Sequence, residues 1–569
     1  MKIKTLMLYI KILFSKRKIS IIYLLLNSLV DFCYNMTIVF IPSLFVKLIM
    51  GFSSLNEIIT VLFFFSLSVF MKMLLTSKID SEKEIQDQIL IMAVTDKMNK
   101  IPYYYLEKYD VKKKRESCIY AIQNYGAAYD LYSKCTNILT SIFTLVTLFG
   151  LSMKFKANYM IINLIISFIY MYIEYRLLLK KHNYSEETIN LNYYFSYFQE
   201  LAIQKKYQIN NKIYHYSDYL LENFKNLNLK ITNHFNKIRI LEANYESLLS
   251  IFSNVQKVVS FIFPLFKLMN KQLVLNEFVL LSNCGIDFSD KLNTISSSFQ
   301  GLINAIDYLI PLYELMNIPD CEDNENSIKC DSIENIIVDN VSFKYPDCDD
   351  YVLENLNLRI NKGEKIAIIG LNGSGKTTLI KLLLKLYEPT RGYIFVNGNS
   401  ISKYDDSYIN NISIVFQDNK VFPITVYENI VANKITNDSS LFKNVCHITA
   451  FEDILSSKKI DHNFLCNSEI YKNGVEFSGG EKQLLTITRA SYRDGELFIL
   501  DEPSSALDPL IRCSIIEKFS LITKNKTTIL ITHDKNLAKK CDKIIKIENK
   551  RAYDINKDTL NDEFYSNLS

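Results

Sequence analysis

The sequence contains little glycine and little proline. It has 15 glycines and 10 prolines in 569 residues, whereas average usage is roughly 7% and 5%. This scarcity excludes collagen-like, low-complexity and loop-rich β-sandwich architectures, and it favours long helices. Ten of the 15 glycines lie at or after Gly363. The chain is therefore divided into a glycine-poor first part and a second part whose turns need glycine.

Paired cysteines and a strong net charge are also missing. The eleven cysteines are scattered from Cys33 to Cys541 without a CxxC pair, and no histidine spacing indicates a zinc site. They are interpreted as reduced thiols, because a disulfide framework needs an oxidising compartment. The net charge is only +4. Such a balance argues against a protein that coats nucleic acid, so no nucleic-acid partner is expected.

The first part of the chain has long apolar stretches. A helix needs about 20 apolar residues to cross a bilayer core. Six stretches are long enough, at residues 20–44, 55–76, 137–155, 158–179, 248–269 and 277–313. The alternative, buried helices of a soluble protein, fits poorly with the alternation of short and long connections between them. We therefore predict an α-helical six-span transmembrane domain over residues 1–318, lying in the lipid bilayer of the cell membrane.

The distribution of basic residues predicts the orientation of these spans. Four basic residues at positions 11–18 precede the first span, which places the N-terminus in the cytoplasm by the positive-inside rule. Six spans return the chain there, so both termini are expected to be cytoplasmic. The two long connections have no proline between Pro102 and Pro264 and are predicted to be helical projections. Residues 101–116 and 199–216 are expected near their tips, as contact surfaces for a cytoplasmic domain.

Two of the predicted spans carry polar residues at helical spacing. They are Asn27, Asp31 and Asn35 in the first span and Asn283, Asp287, Asp290, Thr294 and Ser297 in the sixth. Ionisable residues inside a membrane are costly and usually face a cavity or a partner. They predict an acidic, water-filled pathway for a cationic cargo. The alternative is polar packing at a helix interface or near the lipid headgroups.

The second part of the chain has the pattern of an α/β domain. Residues 319–334 are polar and are interpreted as a linker. Strand-like runs then alternate with helical runs over residues 335–569. The run KIAIIG at 365–370 leads directly into a GxxxxGK[ST] motif and a helix, which is the context of a P-loop. The P-loop residues are Gly370, Asn372, Gly373, Ser374, Gly375, Lys376, Thr377 and Thr378.

The P-loop and a second apolar strand predict a site for ATP and Mg²⁺. The glycines allow a tight turn that directs backbone N–H groups at phosphates. Lys376 is expected to reach the β- and γ-phosphates, and Thr377 to bind Mg²⁺. The strand ELFIL ends in Asp501, a second expected Mg²⁺ ligand. Glu502 beside it is placed to polarise the attacking water.

The motif FSGGEKQ between these two elements completes a family pattern. With it, the chain resembles over essentially its whole length a half-transporter of the ATP-binding cassette (ABC) exporters, with one membrane domain fused to one ATP-binding cassette domain. The resemblance implies that Ser478, Gly479 and Gly480 close on the γ-phosphate held by a partner subunit. Phe477 and Glu481 replace the usual leucine and glutamine, which puts the turnover rate in doubt.

Four further positions match motifs of the ABC exporters. They are Tyr345, Gln417, Asp508 and His533. The resemblance implies that Tyr345 stacks on adenine and that Asp508 lies in the D-loop. It also implies that Gln417 links Mg²⁺ to the membrane contact region and that His533 touches the γ-phosphate. The expected catalytic residues are thus Gln417, Glu502 and His533, and the expected Mg²⁺ ligands are Thr377, Gln417 and Asp501.

The resemblance also implies a partner and a cargo. Two cassettes sandwich two ATP molecules in this family, so a second half-transporter is needed. A homodimer is the simplest reading because Glu502 and His533 are retained, and a heterodimer stays open. Segments 210–224 and 506–534 resemble exporters of lantibiotics and other bacteriocins, which predicts export of a small or modified peptide. A multidrug or lipid exporter and a non-transporting regulator are the alternatives. The N-terminal segment leaves no room for a peptidase domain, so if the cargo has a leader, a separate leader peptidase is expected to remove it.

Overall fold

The chain forms two compact units. The computed structural model describes residues 1–51, 55–123, 125–155, 159–321, 327–346, 348–432, 439–468, 470–503 and 509–555. The first unit comprises Met1–Ile101 and Tyr109–Asp320, and the second comprises Pro102–Lys108 and Cys321–Ser569. The eleven cysteines lie within the described residues and form no disulfide there, and six of them are buried.

The amino-terminal part of the chain is helical. Its helices are α1 (Lys2–Lys16), α2 (Ile19–Ile49), α3 (Leu55–Lys100), α4 (Tyr103–Glu107), α5 (Tyr109–Gln123), α6 (Ala127–Lys154), α7 (Tyr159–Ile203), α8 (Lys205–Ile213), α9 (Tyr216–Met269) and α10 (Leu275–Met316). All except α4 belong to the first unit. The helices α3, α7 and α9 have 46, 45 and 54 residues, more than the roughly 20 that a bilayer core requires. The long connections are therefore continuations of these helices, interrupted by the short helices α4 and α8.

Five helices are long and apolar enough to cross a membrane. Within the described residues they are Ile19–Ile49, Asn56–Lys100, Ala127–Lys154, Tyr159–Lys181 and Tyr216–Met269. Five of the six predicted spans overlap these helices almost completely. The sixth predicted span lies in α10, which is not among the five and carries Asp287, Asp290 and Lys291. The number of six spans therefore stays a prediction.

The acidic residues of the predicted pathway contact lysines of neighbouring helices. Asp31 on α2 lies 2.9 Å from the ammonium of Lys72 on α3, and Asp290 on α10 lies 3.5 Å from that of Lys257 on α9. One carboxylate oxygen of Asp287 is buried without a hydrogen-bond partner in the part of the chain that is described. Two of the three carboxylates thus have helix-packing contacts, and a role in a pathway stays a prediction for all three.

The second unit has α/β architecture. Its strands are β1 (Asn335–Phe343), β2 (Leu353–Asn361), β3 (Lys365–Ile369), β4 (Arg391–Val396), β5 (Asn399–Ser400), β6 (Ile412–Val415), β7 (Leu497–Asp501), β8 (Thr527–Ile531), β9 (Lys543–Glu548) and β10 (Arg551–Ile555). Its longer helices are α11 (Lys376–Leu383), α12 (Asp406–Asn410), α13 (Val426–Val431), α14 (Ser439–Ile448), α15 (Phe451–Lys458), α16 (Gly479–Arg493), α17 (Pro509–Ile522) and α18 (Lys535–Lys539).

Two sheets organise this unit. The first has six strands in the order β10-β9-β3-β8-β7-β6, and the second has four strands in the order β2-β1-β4-β5. Strands β3, β8 and β7 are neighbours and parallel, and every residue of β7 and β8 is buried. Uninterrupted apolar runs are typical of parallel strands covered on both faces. The carboxyl ends of β3, β7 and β8 consequently lie side by side, and ligands bind at this edge of α/β sheets.

A glycine in the smaller sheet packs directly against backbone. The register of β1 with β4 shifts between Asp339 and Ser342, and Asn340 within the shift has a positive φ of 53°. A Cβ atom on Gly392 of β4 would lie 2.3 Å from the carbonyl oxygen of Asn340. Gly398 has the same φ of +80°, but no atom of the described residues lies within 4 Å of its added Cβ.

This pair of glycines gives a matched test of the fold. An alanine at either position would have to adopt a positive φ, which costs an L-residue roughly 1–2 kcal/mol. We expect Gly398→Ala to lower the Tm of the second unit by about 2–8 °C. We expect Gly392→Ala to lower it at least twice as much, because a carbonyl of the sheet cannot move aside. Calorimetry of the full-length protein in detergent measures both, and equal shifts would contradict this packing.

Candidate functional site

The P-loop lies between β3 and α11. Gly370, Asn372, Gly373 and Ser374 form the turn, and Gly375 is the residue that precedes α11. Gly375 has a positive φ of 101°, and a Cβ atom on it would lie 2.6 Å from Cδ2 of Leu353. The loop therefore requires glycine where it enters the helix. The first N–H groups of α11 point towards the loop, as in anion sites at helix N-termini.

The side chains of the P-loop leave polar groups available for an anion. The Nζ atom of Lys376 donates hydrogen bonds to the carbonyl oxygens of Gly370 and Leu371, at 2.8 and 2.9 Å. Burial lowers the pKa of the Lys376 ammonium, and the carboxylates of Glu502 and Asp501 act in the opposite direction. The Ser374 hydroxyl is buried and has no hydrogen-bond partner within the described residues. A phosphate here would accept hydrogen bonds from the Ser374 hydroxyl and from the Lys376 ammonium.

Asp501 and Thr377 place two oxygen ligands together. The Thr377 hydroxyl donates a hydrogen bond of 3.1 Å to Oδ2 of Asp501. Burial raises the pKa of the Asp501 carboxyl to about 6, against the effect of the bond from Thr377. No group of three or more His, Cys, Asp or Glu side chains that could hold a metal occurs in the part of the chain described. A metal at this point would be a hard cation such as Mg²⁺, which takes one or two carboxylates plus phosphate oxygens.

Glu502 connects the remaining predicted catalytic residues. Its carboxylate lies 3.3 Å from Nε2 of His533 and accepts a hydrogen bond of 3.2 Å from Nε2 of Gln417. Its backbone has a positive φ of 51°, an uncommon conformation that clusters at functional sites. The Glu502 N–H donates to the carbonyl of Ile531 at 2.9 Å, and its own carbonyl accepts from Nε2 of Gln483 at 2.8 Å. The structure thus brings Gln417, Glu502 and His533 together.

The signature residues occupy the start of α16. Ser478 caps this helix: its hydroxyl accepts from the N–H of Glu481 at 3.3 Å, and its N–H donates to the Glu481 carboxylate at 2.7 Å. This reciprocal pair is a capping box. Phe477 is buried beside Phe451, with ring centroids 6.1 Å apart. The two departures from the family pattern therefore have structural roles, a core contact for Phe477 and a cap for Glu481.

Within the described residues, Ser478 forms no hydrogen bond with the P-loop of its own chain. Its polar side-chain contacts within the described residues are those of the capping box. Ser478 and Gly479 are exposed, and Gly480 is half-buried. Asp508, the expected D-loop residue, lies outside the described residues.

Tyr345 lies against the helix that follows the P-loop. Its hydroxyl is 2.9 Å from the hydroxyl of Thr378 on α11. Its ring meets those of Phe343 and Tyr387 edge-on, at centroid distances of 5.2 and 5.4 Å, and the ammonium of Lys381 lies 5.4 Å from its centroid. An open cleft of about 590 Å³ adjoins this ring. Its position leaves room for a planar base beside the P-loop helix.

Helix α4, which the sequence analysis placed in the predicted transmembrane domain, contacts the residues around Tyr345. Glu107 of α4 accepts hydrogen bonds from the hydroxyl of Tyr387 and from Nζ of Lys381, and the ring of Tyr103 lies 5.8 Å from that of Tyr387. Burial raises the pKa of Glu107, but the bonds from Tyr387 and Lys381 outweigh burial, so its pKa lies below its usual value. The one indication of this in the sequence was the prediction that residues 101–116 form a contact surface for a cytoplasmic domain.

Comparison with known proteins agrees with this geometry. The profile of the ABC transporter family matches residues 353–505. The subtilin transport ATP-binding protein SpaT of Bacillus subtilis is 32% identical over 346 residues, which cover 59% of this chain and 55% of that protein. The nisin transport ATP-binding protein NisT of Lactococcus lactis is 33% identical over 228 residues, covering 39% and 38%. A putative multidrug export ATP-binding/permease protein of Staphylococcus aureus is 35% identical over 240 residues, covering 40% and 39%.

The matched regions span about half or less of the length of these relatives. The likeness in fold is more extensive. The structure of a bacterial Atm1-family ABC exporter with ATP bound matches 98% of both chains, with a TM-score of 0.81 and 17% sequence identity. The second unit of this chain is therefore an ABC transporter domain, it is fused to a helical membrane domain, and the whole chain has the fold of an ABC exporter.

Proposed function

We propose that this protein is an ATPase that exports a small or modified peptide of the lantibiotic type across the cell membrane. The observation that carries the export function is the fusion of apolar helices long enough to cross a bilayer with an ABC transporter domain. The peptide cargo is supported by the similarity to the subtilin and nisin transport proteins. Both termini would lie in the cytoplasm, and a separate peptidase would remove any leader.

ATP binding is assigned to the P-loop and to Tyr345. Lys376 would exchange its two carbonyl contacts for phosphate oxygens, and the unpaired Ser374 hydroxyl would donate to another. Burial makes these contacts stronger than they would be in water. Tyr345 would stack on adenine in the adjoining cleft, held in place by Thr378. Gly373 and Gly375 let the backbone approach the phosphates closely.

Mg²⁺ fits the oxygen groups beside the phosphates. Thr377 and Asp501 would hold it, with Gln417 as a further oxygen ligand. When bound, Mg²⁺ neutralises charge on the phosphates. The low exposure of Asp501, 2%, favours a cationic partner for that carboxylate.

Hydrolysis is assigned to Glu502. Its carboxylate accepts a proton from a water molecule while the water oxygen bonds to the terminal phosphorus, and the bond to ADP breaks. Gln417 and His533, each within 3.3 Å of the carboxylate, orient the water and contact the terminal phosphate. A positioned general base of this kind contributes about 10²–10⁴-fold to a rate.

A second copy of the chain would complete each site. Ser478 is exposed and forms no hydrogen bond with its own P-loop within the described residues, so its hydroxyl is available for the γ-phosphate held by a partner. Because Glu502, His533 and Ser478 are all present in one chain, two identical chains would give two competent sites. We therefore propose a homodimer.

Multidrug or lipid export is the second candidate function. The similarity to the putative multidrug export protein of Staphylococcus aureus supports it. So does a groove of about 990 Å³ among α2, α3 and α6 of the first unit, whose lining is mostly apolar. Such a groove suits an apolar cargo better than a cationic peptide. A non-transporting regulator is less well supported, because binding alone would not need the group at Glu502.

Replacement of the P-loop lysine tests nucleotide binding. We expect Lys376→Ala to weaken ATP binding by roughly 10–100-fold, the value of one or two charge-assisted hydrogen bonds. Lys524→Ala, at an exposed lysine on the same unit, serves as the control and should bind as the wild type does. Equilibrium binding of a fluorescent ATP analogue to the purified protein measures both. An unchanged affinity in Lys376→Ala would refute the assignment of the phosphate site.

Replacement of the proposed base tests hydrolysis and export together. We expect Glu502→Gln to lower ATP hydrolysis by about 10²–10⁴-fold while ATP binding is retained. The exposed Glu517 provides the control variant Glu517→Gln, with a normal rate expected. In the native host, mass spectrometry of the medium should show one or more peptides that disappear in Glu502→Gln cells and accumulate inside them. An unchanged peptide profile alongside lost hydrolysis would favour drug or lipid export.

The acidic residues of α10 give a test of the pathway. We expect Asp287→Asn combined with Asp290→Asn to impair export of a cationic cargo, because the pathway loses two of its three carboxylates, while basal ATP hydrolysis stays normal. The control is Asp96→Asn, at an exposed position on α3. Secretion and ATPase rates are measured on the same preparations. Normal export in the double variant would make these carboxylates structural.

A further inference from the structure

Buried polar side chains follow the interface of α7, α9 and α10 in the first unit. They are Asn163, Ser167, Glu174, Gln256, Ser260, Asn293 and Ser296, here named the polar column. Each is at most 8% exposed. Their positions on α7 and α9 lie in the candidate membrane spans Tyr159–Lys181 and Tyr216–Met269. From Asn163 to Glu174 the column extends roughly 16 Å along α7, at 1.5 Å per residue.

Gln256 is the centre of the hydrogen bonds in this column. Its Nε2 donates to the backbone carbonyl of Asn163 at 3.1 Å and to the hydroxyl of Ser167 at 2.7 Å. Its Oε1 accepts from Nδ2 of Asn293 at 3.0 Å. One level away, Nδ2 of Asn163 donates to the Ser260 hydroxyl at 2.7 Å. The three helices are thus joined by side-chain amides.

Two side-chain amide oxygens of the column have no hydrogen-bond partner within the described residues. A backbone carbonyl can only accept, so the bond to Asn163 fixes which end of the Gln256 amide is nitrogen. Asn293 must then present its own nitrogen to the Gln256 oxygen, and its Oδ1 faces elsewhere. Within the described residues, Oδ1 of Asn293 and Oδ1 of Asn163 are buried without a hydrogen-bond partner. Each unpaired oxygen costs about 1–3 kcal/mol unless it meets a donor or a cation.

Glu174 adds a buried carboxyl that has no basic partner among the described residues. It is 5% exposed, and it accepts a hydrogen bond from the Ser296 hydroxyl. No ion pair to Glu174 is present in the described part of the chain. Asn293 lies one turn of α10 before Ser296, so the two residues share a face of that helix. Asn293, whose Oδ1 is unpaired within the described residues, and Ser296, which donates to the Glu174 carboxyl, are thus neighbours on one face of α10.

The charged groups around Glu174 do not compensate it. Tyr170, on the same helix, lies within electrostatic range of Glu174, of Glu246 on α9 and of Asp290 on α10. Lys257 on α9 is paired with Asp290. Among the described side chains this environment is acidic and rich in acceptors. An isolated buried carboxylate in a membrane domain is costly, and such residues mark ion and proton sites.

We infer that the polar column is a binding site for a small monovalent cation, with Glu174 and Asn293 as its principal acceptors. The cation is either a proton held on Glu174 or an alkali ion shared by the two side chains. A column that served only to pack the helices would leave the Glu174 carboxyl and Oδ1 of Asn293 uncompensated. The site is separate from the nucleotide site and does not depend on the proposed cargo.

Ion binding and infrared spectroscopy of the full-length protein in nanodiscs distinguish the two cations. For an alkali ion, we expect saturable binding of ²²Na⁺ or ⁸⁶Rb⁺ that falls at least tenfold in Glu174→Gln and in Asn293→Ala. For a proton, we expect no alkali binding and a protonated-carboxyl band that is absent from Glu174→Gln. The control for both is Glu222→Gln, at an exposed position on α9, which should behave as the wild type does.

The outcome is decisive even if Glu174→Gln does not fold. Ser296→Ala keeps the carboxyl but removes its hydrogen-bond donor, so it should shift the carboxyl band or weaken alkali binding several-fold. A wild-type protein that binds neither alkali ion and shows no protonated-carboxyl band overturns the inference. The inference is also overturned if the carboxyl band and the ion affinity in Glu174→Gln or in Ser296→Ala are the same as in the wild type. The column would then be packing alone.

Discussion

The pairing of β8 between β3 and β7 is the constraint on which the candidate site depends. Asp501 at the end of β7 pairs with Ile531 of β8, and Ile531 pairs with Ile368 of β3. Three separate stretches of sequence therefore end at one edge of the sheet, and the P-loop, the two acidic residues and His533 follow from those ends. Because every residue of β7 and β8 is buried, a slip in register would move polar residues that flank these strands into the apolar core. The register of these strands thus determines which residues lie together at the site.

The two units distribute polarity in opposite ways. In the second unit, apolar strands are hidden and polar loops are exposed. In the first unit, large apolar residues such as Phe63 and Phe64 are 62% and 60% exposed, while Asn163 and Gln256 are fully buried. Lipid offers nothing to hydrogen-bond with, so polar side chains in such a unit find partners in its interior. The candidate nucleotide site and the polar column therefore reflect different surroundings, water around the second unit and lipid around the first.

Most of the second unit could be predicted from the sequence because its signals are local. The P-loop is one continuous motif, and the DE pair and the histidine each lie at the end of a strand. The predicted order of a helical membrane domain and an α/β P-loop domain is confirmed by the fold. Contacts between distant segments were not predictable: Glu107 and Tyr387 are 280 positions apart. The polar column was missed for the same reason, since it depends on which faces of three helices meet.

The segment Pro102–Lys108 has a consequence for how the protein can be divided. It is continuous with the helices α3 and α5, yet its contacts belong to the second unit. A polypeptide that began at Cys321 would lack this piece, and the hydroxyl of Tyr387 and the ammonium of Lys381 would lose the carboxylate between them. The second unit is therefore not formed by one continuous stretch of sequence. Its segment Pro102–Lys108 lies more than two hundred residues before Cys321, where the rest of the unit begins. A gene that began at the linker would encode the second unit without the segment Pro102–Lys108. Cleavage of the chain at the linker would leave this segment on one fragment and the unit to which it belongs on the other.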